Sequence, residues 1–198
     1  MADPTNVLVL AGSPRPVSYT RSLARCIGRA LDQRGAQVHL FDLYERPLPP
    51  LDPTLRRQRP DHPDPGVVEL YRRAEEADAY VLASPTYHNS YSGVLKNAID
   101  WLTIRDFRYR PVGLAAHSGR ATLAVDHLRI VVRGVLGVAI PTQVCTRESD
   151  YTDTSDENGL YDVTDPDILA RIDRFADELL LFGTHMGALR ADVAARSS

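Results

Sequence analysis

The sequence lacks the features that mark membrane, secreted or nucleic-acid-binding proteins. None of its apolar runs reaches the roughly 18 residues that a membrane-spanning helix needs. The first residues show no basic segment followed by an apolar one, which is the pattern of a secretory signal. The formal net charge is −3, so no strongly basic surface for nucleic acid is indicated. We therefore expect a cytoplasmic protein that binds neither a membrane nor nucleic acid.

Cysteine is scarce, and several well-known motifs are missing. Cys26 and Cys145 are far apart and lack metal-ligand spacing, so we expect two small apolar side chains and no metal site. No Gly-Lys-Ser/Thr ending marks a Walker A loop, and no three-glycine fingerprint marks a dinucleotide site. A Gly-x-Ser-x-Gly elbow is also absent, which argues against a hydrolase.

Short apolar runs alternate with helical patterns along the whole chain. Strands are predicted at 7–10, 36–43, 79–83, 111–116 and 138–144, with helices between them and one after the last. This alternation predicts a single α/β domain over residues 1–198, with a parallel sheet covered by helices on both faces. Right-handed crossovers favour the flavodoxin-like order 2-1-3-4-5. Seven prolines in residues 46–66 predict an irregular surface arm that rims a site or reaches a second subunit.

The first stretch of interest lies between strand one and the first helix. Gly12 permits a tight turn there, Ser13, Ser18 and Thr20 offer hydroxyl groups, and Arg15 brings a fork-shaped cation suited to phosphate. Backbone N–H groups at a helix start also attract anions, so the loop indicates a phosphate site. The structural alternative is a simple helix cap, with Ser18 as the N-cap and Arg15 in solvent.

The second stretch, Ser84-Pro85-Thr86-Tyr87-His88-Asn89-Ser90, follows strand three. In the predicted sheet the ends of strands one and three meet at the switch point, where this fold holds FMN. The stretch is rigid at Pro85, aromatic at Tyr87, and rich in backbone donors for a flat heterocycle. The alternative is that Pro85 and Tyr87 only shape a loop and that His88 is solvated.

Together the two stretches resemble the NADPH-dependent FMN reductase family. The resemblance rests on Gly12-Ser13-x-Arg15-x-x-Ser18-x-Thr20-Arg21 and on Ser84-Pro85-x-Tyr87-x-x-Ser90-x-x-Gly93-x-Leu95-Lys96-Asn97-Ala98-Ile99-Asp100-Trp101. It implies that Ser13, Arg15, Ser18, Tyr19 and Thr20 hold the FMN phosphate. It also implies a flavin-ring site edged by Pro85, Thr86, Tyr87, His88 and Asn89 and closed by Ser118 and Gly119. His88 departs from the family, which commonly has Asn there, and residues 118–121 contain one glycine where the family often has a pair.

The resemblance implies an FMN-dependent oxidoreductase with NADPH or NADH as hydride donor. A small acceptor such as free flavin, a quinone or an azo compound would be reduced, with ping-pong kinetics if FMN stays bound. No protein acid or base is needed, so no catalytic residue is expected. The alternative is a flavodoxin-type electron carrier, which binds FMN without turning over NAD(P)H.

Expected partners are a small-molecule electron acceptor and, as a candidate protein partner, a flavin-using monooxygenase. The proline-rich arm also suggests a homodimer or homotetramer, as does an apolar stripe on the last helix, which is either core packing or partly a subunit contact. The stripe comprises Ile168, Ile172, Phe175, Leu179, Phe182 and Met186.

Overall fold

The computed structural model describes residues 4–57, 59, 61–118 and 122–196. Its strands are β1 (Asn6–Ala11), β2 (Gln37–Asp42), β3 (Ala79–Pro85), β4 (Pro111–His117) and β5 (Val138–Thr146). Its helices are α1 (Tyr19–Asp32), α2 (Pro65–Glu76), α3 (Gly93–Trp101), α4 (Ile104–Phe107), α5 (Leu123–Gly134) and α6 (Pro166–Arg196).

All five strands are parallel and lie in the order β2-β1-β3-β4-β5, which confirms the predicted flavodoxin-like topology. The three central strands β1, β3 and β4 are almost entirely buried, because helices cover both faces of the sheet, whereas the edge strands β2 and β5 carry exposed and polar residues. Leu8 and Leu10 point into a core shared with α2, α3 and α5. Val7 and Val9 point the other way, into a core shared with α1 and α6.

The last helix uses its apolar stripe mainly for the core. Ile172, Phe175 and Leu179 are buried against the sheet, while Ile168 and Phe182 are half-buried at the edge of the same core. The ring of Phe175 occupies the space beside Gly113 of β4 that any side chain there would need. The stripe therefore serves mainly to pack α6 on β4 and β5, which weakens it as evidence for a subunit contact.

The segment 46–66 is largely irregular, but it lies against the domain. It contains one 3-10 turn, Leu55–Arg57, and α2 already begins at Pro65 because proline is well tolerated in a first helical turn. The carbonyl of Pro49 accepts hydrogen bonds from Asn97 Nδ2 (2.8 Å) and Trp101 Nε1 (3.0 Å). The sequence did not predict these contacts, nor the single turn of α4 that follows α3.

No helix in the part of the chain that the structure describes is both long and apolar enough to cross a membrane.

Candidate functional site

The loop after β1, residues 12–18, is called the first loop, and it begins with a close approach of three backbone segments. Gly12 N–H donates to the carbonyl of Ala83 (2.8 Å), and the Gly12 carbonyl accepts from Ser92 Oγ (2.5 Å). A Cβ atom on Gly12 would lie 2.8 Å from both Ala83 O and the Leu95 Cβ, so only glycine fits. The contacts fix the start of the first loop against the end of β3 and the start of α3.

Ser13 in this loop and Thr20 just after it are buried, whereas Arg15 is exposed. Arg15 N–H donates to Ser13 Oγ (3.3 Å), and the guanidinium has no partner among the described residues. The first N–H groups of α1, at Tyr19 and Thr20, have no acceptor within the helix and carry its positive dipole end. An arginine without a partner among the described residues, in the loop that leads to helix N–H groups without an intrahelical acceptor, suits an anion such as phosphate.

Ser18 is the N-cap of α1, as the helix-cap alternative predicted. Its Oγ accepts from Arg21 N–H (3.3 Å) as the N-cap of α1, and its own N–H donates to the carbonyl of Gly159 (3.1 Å). The cap does not exclude a phosphate site, because the Ser18 hydroxyl still has its hydrogen to donate. The cap and the anion site are therefore compatible in one loop.

Arg21 supports the loop from beneath, a role that the sequence did not reveal. The side chain is buried, and its Nε lies 2.7 Å from Asp42 Oδ2 at the end of β2. Its two other nitrogens donate to the carbonyl of Pro16 (2.5 Å) and to Glu45 (2.8 Å). Two features of the sequence could have suggested this role for Arg21. One is its three-residue spacing from Ser18, and the other is the position of Asp42 on the neighbouring predicted strand.

The loop after β3, residues 86–92, is called the second loop, and it contains a tight two-residue turn. Tyr87 and Ser90 exchange backbone hydrogen bonds of 2.8 and 2.9 Å, and both central residues are left-handed, with φ of 47° at His88 and 63° at Asn89. Positive φ at both positions defines a type I′ turn, which glycine and asparagine favour and histidine does not. His88 and Asn89 are exposed, and their N–H groups have no protein acceptor in the described part of the chain.

Thr86 joins this turn to β4. Its N–H donates to the carbonyl of His117 (3.1 Å), while its Oγ1 is buried and has no hydrogen-bond partner among the residues that the structure describes. Buried hydroxyl groups are rarely left unsatisfied, so Thr86 Oγ1 is a group that a ligand could satisfy. Ser118 lies directly beyond β4, with its N–H bonded to the Thr146 carbonyl (3.0 Å). Gly119, with Arg120 and Ala121, lies outside the described residues.

An aromatic stack borders the site on the β4 and β5 side. The Tyr19 ring lies between Tyr161 (centroids 4.1 Å apart) and His117 (4.6 Å). Partial burial, together with hydrogen bonding to Tyr161 and the charge of Glu148, raises the pKa of Tyr19 to about 12, so its phenol is neutral at pH 7. The ring of Tyr19 is thus held between its neighbours.

A hydrogen-bond chain fixes the tautomer of His117. Tyr151 Oη donates to the Tyr19 carbonyl (3.3 Å), so Thr146 Oγ1 must donate to Tyr151 (2.8 Å). Thr146 Oγ1 is then an acceptor for His117 Nδ1, 3.3 Å away. Burial also lowers the pKa of His117, which favours the neutral ring. His117 was not among the residues that the sequence suggested.

A groove of about 740 Å³ lies on the other side of α1, lined by Arg25, Arg29, Leu40 and Leu160 among others. Its arginines face carboxylates, since Arg25 bonds Glu45 (2.9 Å) and Arg29 lies 3.9 Å from Asp162. The groove therefore offers less free positive charge than the two loops at the sheet edge. We place the candidate site at the loops.

Residues 5–150 match the family described as NADPH-dependent FMN reductase. The chain belongs to this family. The match covers both loops, and it confirms the resemblance, the oxidoreductase class, and FMN and NAD(P)H as the cofactors that the sequence suggested. Within this FMN reductase family the enzyme interpretation, rather than the electron carrier, is the one supported.

Relatives and solved structures agree with this assignment. FMN-dependent NADPH-azoreductases of Staphylococcus saprophyticus and Staphylococcus aureus are each 36% identical over 177 residues, or 88% of this chain and 93% of theirs. The flavoenzyme NAD(P)H:(acceptor) oxidoreductase FerB of Paracoccus denitrificans has a TM-score of 0.69 at 23% identity, over 90% of this chain and 98% of that one. An oxidoreductase from Corynebacterium diphtheriae has a TM-score of 0.67 at 22% identity, over 93% and 99%. At these identities the structures establish the fold.

Proposed function

We propose that this FMN reductase family member transfers reducing equivalents from NADPH, through bound FMN, to a small aromatic acceptor of the azo or quinone type. The azo acceptor is suggested by the names of the staphylococcal relatives. The observation that carries the proposal is the convergence of two different loops at one sheet edge. Gly12 and Ala83 lie side by side there, so an anion-binding loop adjoins a strained turn with free N–H groups.

The phosphate end of FMN is assigned to the first loop. Arg15 would pair with the phosphate through its unpartnered guanidinium, and the N–H groups of Tyr19 and Thr20 would complete the contact. The hydroxyl groups of Ser13 and Ser18 border the same region. Arg21 is not assigned to the phosphate, because its buried guanidinium is already paired with Asp42.

The ring end is assigned to the second loop. The exposed N–H groups of His88 and Asn89 would donate to the polar edge of the isoalloxazine, and Thr86 Oγ1 would gain the partner that it lacks. Pro85 keeps the chain rigid and Tyr87, which is 38% exposed, offers an aromatic edge. Ser118 and Gly119 are proposed to close the pocket from the β4 side.

When bound, FMN supplies hydride acceptance and two-electron donation. The protein then has to bind, orient and stabilise, and backbone N–H groups can do this by favouring negative charge on the ring. Burial raises the pKa of the Cys26 thiol and raises that of Cys145 to about 11, so neither is a thiolate nucleophile at pH 7. We propose ping-pong turnover and no catalytic side chain.

An absorbance spectrum followed by anaerobic NADPH addition tests the proposal. We expect flavin bands near about 375 and 450 nm, bleached by NADPH and restored by an azo dye or quinone. Flavin bands that NADPH leaves unchanged would instead favour the electron carrier. A colourless protein that also ignores added FMN would refute the site itself. Replacing NADPH with NADH in the same assay tests the donor preference.

We further propose that the protein is a homodimer, or a homotetramer built from such dimers, with the site beside the subunit contact. Leu123, His127 and Ile130 lie on one exposed face of α5, and Ile130 is 71% exposed. His127 Nδ1 lies 3.0 Å from Ser90 Oγ, so this face adjoins the second loop. Analytical ultracentrifugation is expected to show a dimer or tetramer that Ile130→Glu dissociates. A wild-type monomer at micromolar concentration would contradict this proposal.

The cytoplasm is proposed as the location, because the donor NADPH is an intracellular coenzyme. A flavin-using monooxygenase stays the candidate protein partner, and it could receive reduced flavin only if flavin leaves the site. Gel filtration of the reduced protein tests this point. Co-elution of all flavin with the protein would argue against such a partner.

A further inference from the structure

The family match ends at residue 150, yet the residues that follow lie on the first loop. We name residues 151–163 the strap. Its two ends are paired by an antiparallel bridge between Tyr151 and Val163, and Thr152 N–H donates to the Asp162 carbonyl (2.9 Å). At its tip Asp156 Oδ1 accepts from the N–H groups of Asn158 (2.9 Å) and Leu160 (2.8 Å). The strap is therefore a closed, internally bonded hairpin.

The strap tip touches the first loop through backbone atoms of Gly159. The Gly159 carbonyl accepts from Ser18 N–H (3.1 Å), and a Cβ atom on Gly159 would lie 2.6 Å from the Pro16 carbonyl oxygen. Gly159 also has φ of +73°, which other residues adopt only with strain. Two independent constraints thus require glycine at this contact between the strap and the loop.

A second contact lies one turn further along α1. Tyr161 N–H donates to Ser22 Oγ (2.9 Å), and the Tyr161 ring stacks on Tyr19, whose ring in turn stacks on His117. The strap therefore holds both sides of the segment 16–22, and Tyr19 is enclosed between the strap and the end of β4. These are the residues whose N–H groups are assigned to the phosphate.

We propose that the strap is a positioning element of the flavin site. It holds the first loop in its binding shape, so that FMN does not have to order the loop when it binds. Preorganisation of this kind lowers the entropic cost of binding and slows release. Gly159 and Tyr161 are positioning residues in this account, acting on the ligand only through residues 16–22. The inference rests on the proposed function.

The test compares flavin release from holoenzyme variants. After dilution, the rise of FMN fluorescence gives the release rate, and hydrogen exchange of a peptide covering residues 14–20 reports the order of the loop. We expect Tyr161→Ala and Gly159→Ala to speed release by about tenfold or more, with faster exchange in the loop. Tyr161→Phe keeps the ring and is expected to restore wild-type release. Asp153→Ala, an exposed change on the strap, is the matched control.

The outcomes separate this inference from the proposed function. Wild-type release in Tyr161→Ala, while Arg15→Ala still weakens FMN binding, would overturn the strap's role and leave the site intact. Faster exchange with unchanged release would also overturn it, because the strap would then be only structural. If Gly159→Ala fails to fold, the Tyr161→Ala and Tyr161→Phe pair decides. If Arg15→Ala has no effect on FMN, the assigned site fails instead.

Discussion

Two arginines six residues apart, Arg15 in the first loop and Arg21 in the first turn of α1, have opposite environments. Arg15 is exposed and unpartnered among the described residues, whereas Arg21 is 2% exposed and bonded to Asp42, Glu45 and the Pro16 carbonyl. The same side-chain chemistry therefore serves two purposes. Arg15 is available to a ligand, while Arg21 is committed to the protein.

Arg15→Ala is expected to weaken FMN binding by about 1–3 kcal/mol, the usual worth of a hydrogen bond to a charged group. Titration of the flavin-free protein with FMN, followed by fluorescence quenching, measures the change in Kd. Arg29→Ala is the matched control, since it removes the same charge from an exposed position on α1. An unchanged Kd in Arg15→Ala would show that Arg15 does not contact the phosphate.

Arg21→Ala should instead lower the free energy of unfolding by about 3 kcal/mol, because it removes the nearest partner of the buried Asp42 carboxylate and leaves Arg25, 4.0 Å away, as the remaining cation beside it. Asp42 is only 4% exposed, so solvent cannot compensate. Arg25→Ala removes a solvent-screened pair with the exposed Glu45 and a long contact of 4.0 Å with Asp42, while Arg21 stays bonded to Asp42, so it should cost about 1 kcal/mol or less. Urea denaturation of the three proteins measures both effects, and equal losses would contradict the distinction.

At the scale of elements, the site is assembled by strand ends rather than by a closed cavity. β1 and β3 are neighbours, and the register of β3 and β4 pairs Pro85 with His117. The first loop, the turn at 87–90 and Ser118 are therefore adjacent whatever their side chains. The left-handed turn is the strained element of this edge.

Asn89→Val tests the turn, because a β-branched residue at φ of 63° is expected to cost about 1–3 kcal/mol. We expect a lower free energy of unfolding and weaker FMN binding in this variant. Asn89→Gly, which relaxes the same backbone strain, should keep or raise stability. Denaturation midpoints and FMN titration give both results. Equal stability of the Val and Gly variants would mean that the turn is not left-handed in solution.

At the scale of the whole molecule, the described structure carries two histidines whose pKa values are lowered. Burial lowers the pKa of His117, and burial with the charge of Arg73 lowers that of His39. In the unfolded chain both side chains have a pKa of about 6.5. Just below that pH the unfolded chain binds more protons than the folded one, so stability rises with pH in this range.

We therefore expect the free energy of unfolding to fall as the pH is lowered from about 7.5 to about 5.5. Depressed carboxyl pKa values, as at Asp177 and Glu69, act in the same direction but at lower pH. Chemical denaturation at several pH values measures the slope. The double variant His39→Gln, His117→Phe should flatten it, and an unchanged slope would exclude these two histidines as the cause.

The sequence by itself determined the sheet order and the family. Apolar periodicity is a local property, and right-handed crossovers then allow few arrangements, so the adjacency of the Gly12 and Pro85 loops followed before any coordinates. The Asn158-Gly159 pair is a turn signal in the sequence itself. The contact of Gly159 with the Pro16 carbonyl could not be predicted, because it joins residues about 140 positions apart in the sequence.

Only the tertiary structure decided how the loops are held. The burial of Arg21 depends on where β2 ends, and the stack of Tyr161, Tyr19 and His117 depends on three distant segments meeting. The left-handed turn at His88 and Asn89 contains no glycine from which it could have been predicted. Periodicity fixes which face of an element is buried, whereas side-chain partners depend on the packing of elements remote in sequence.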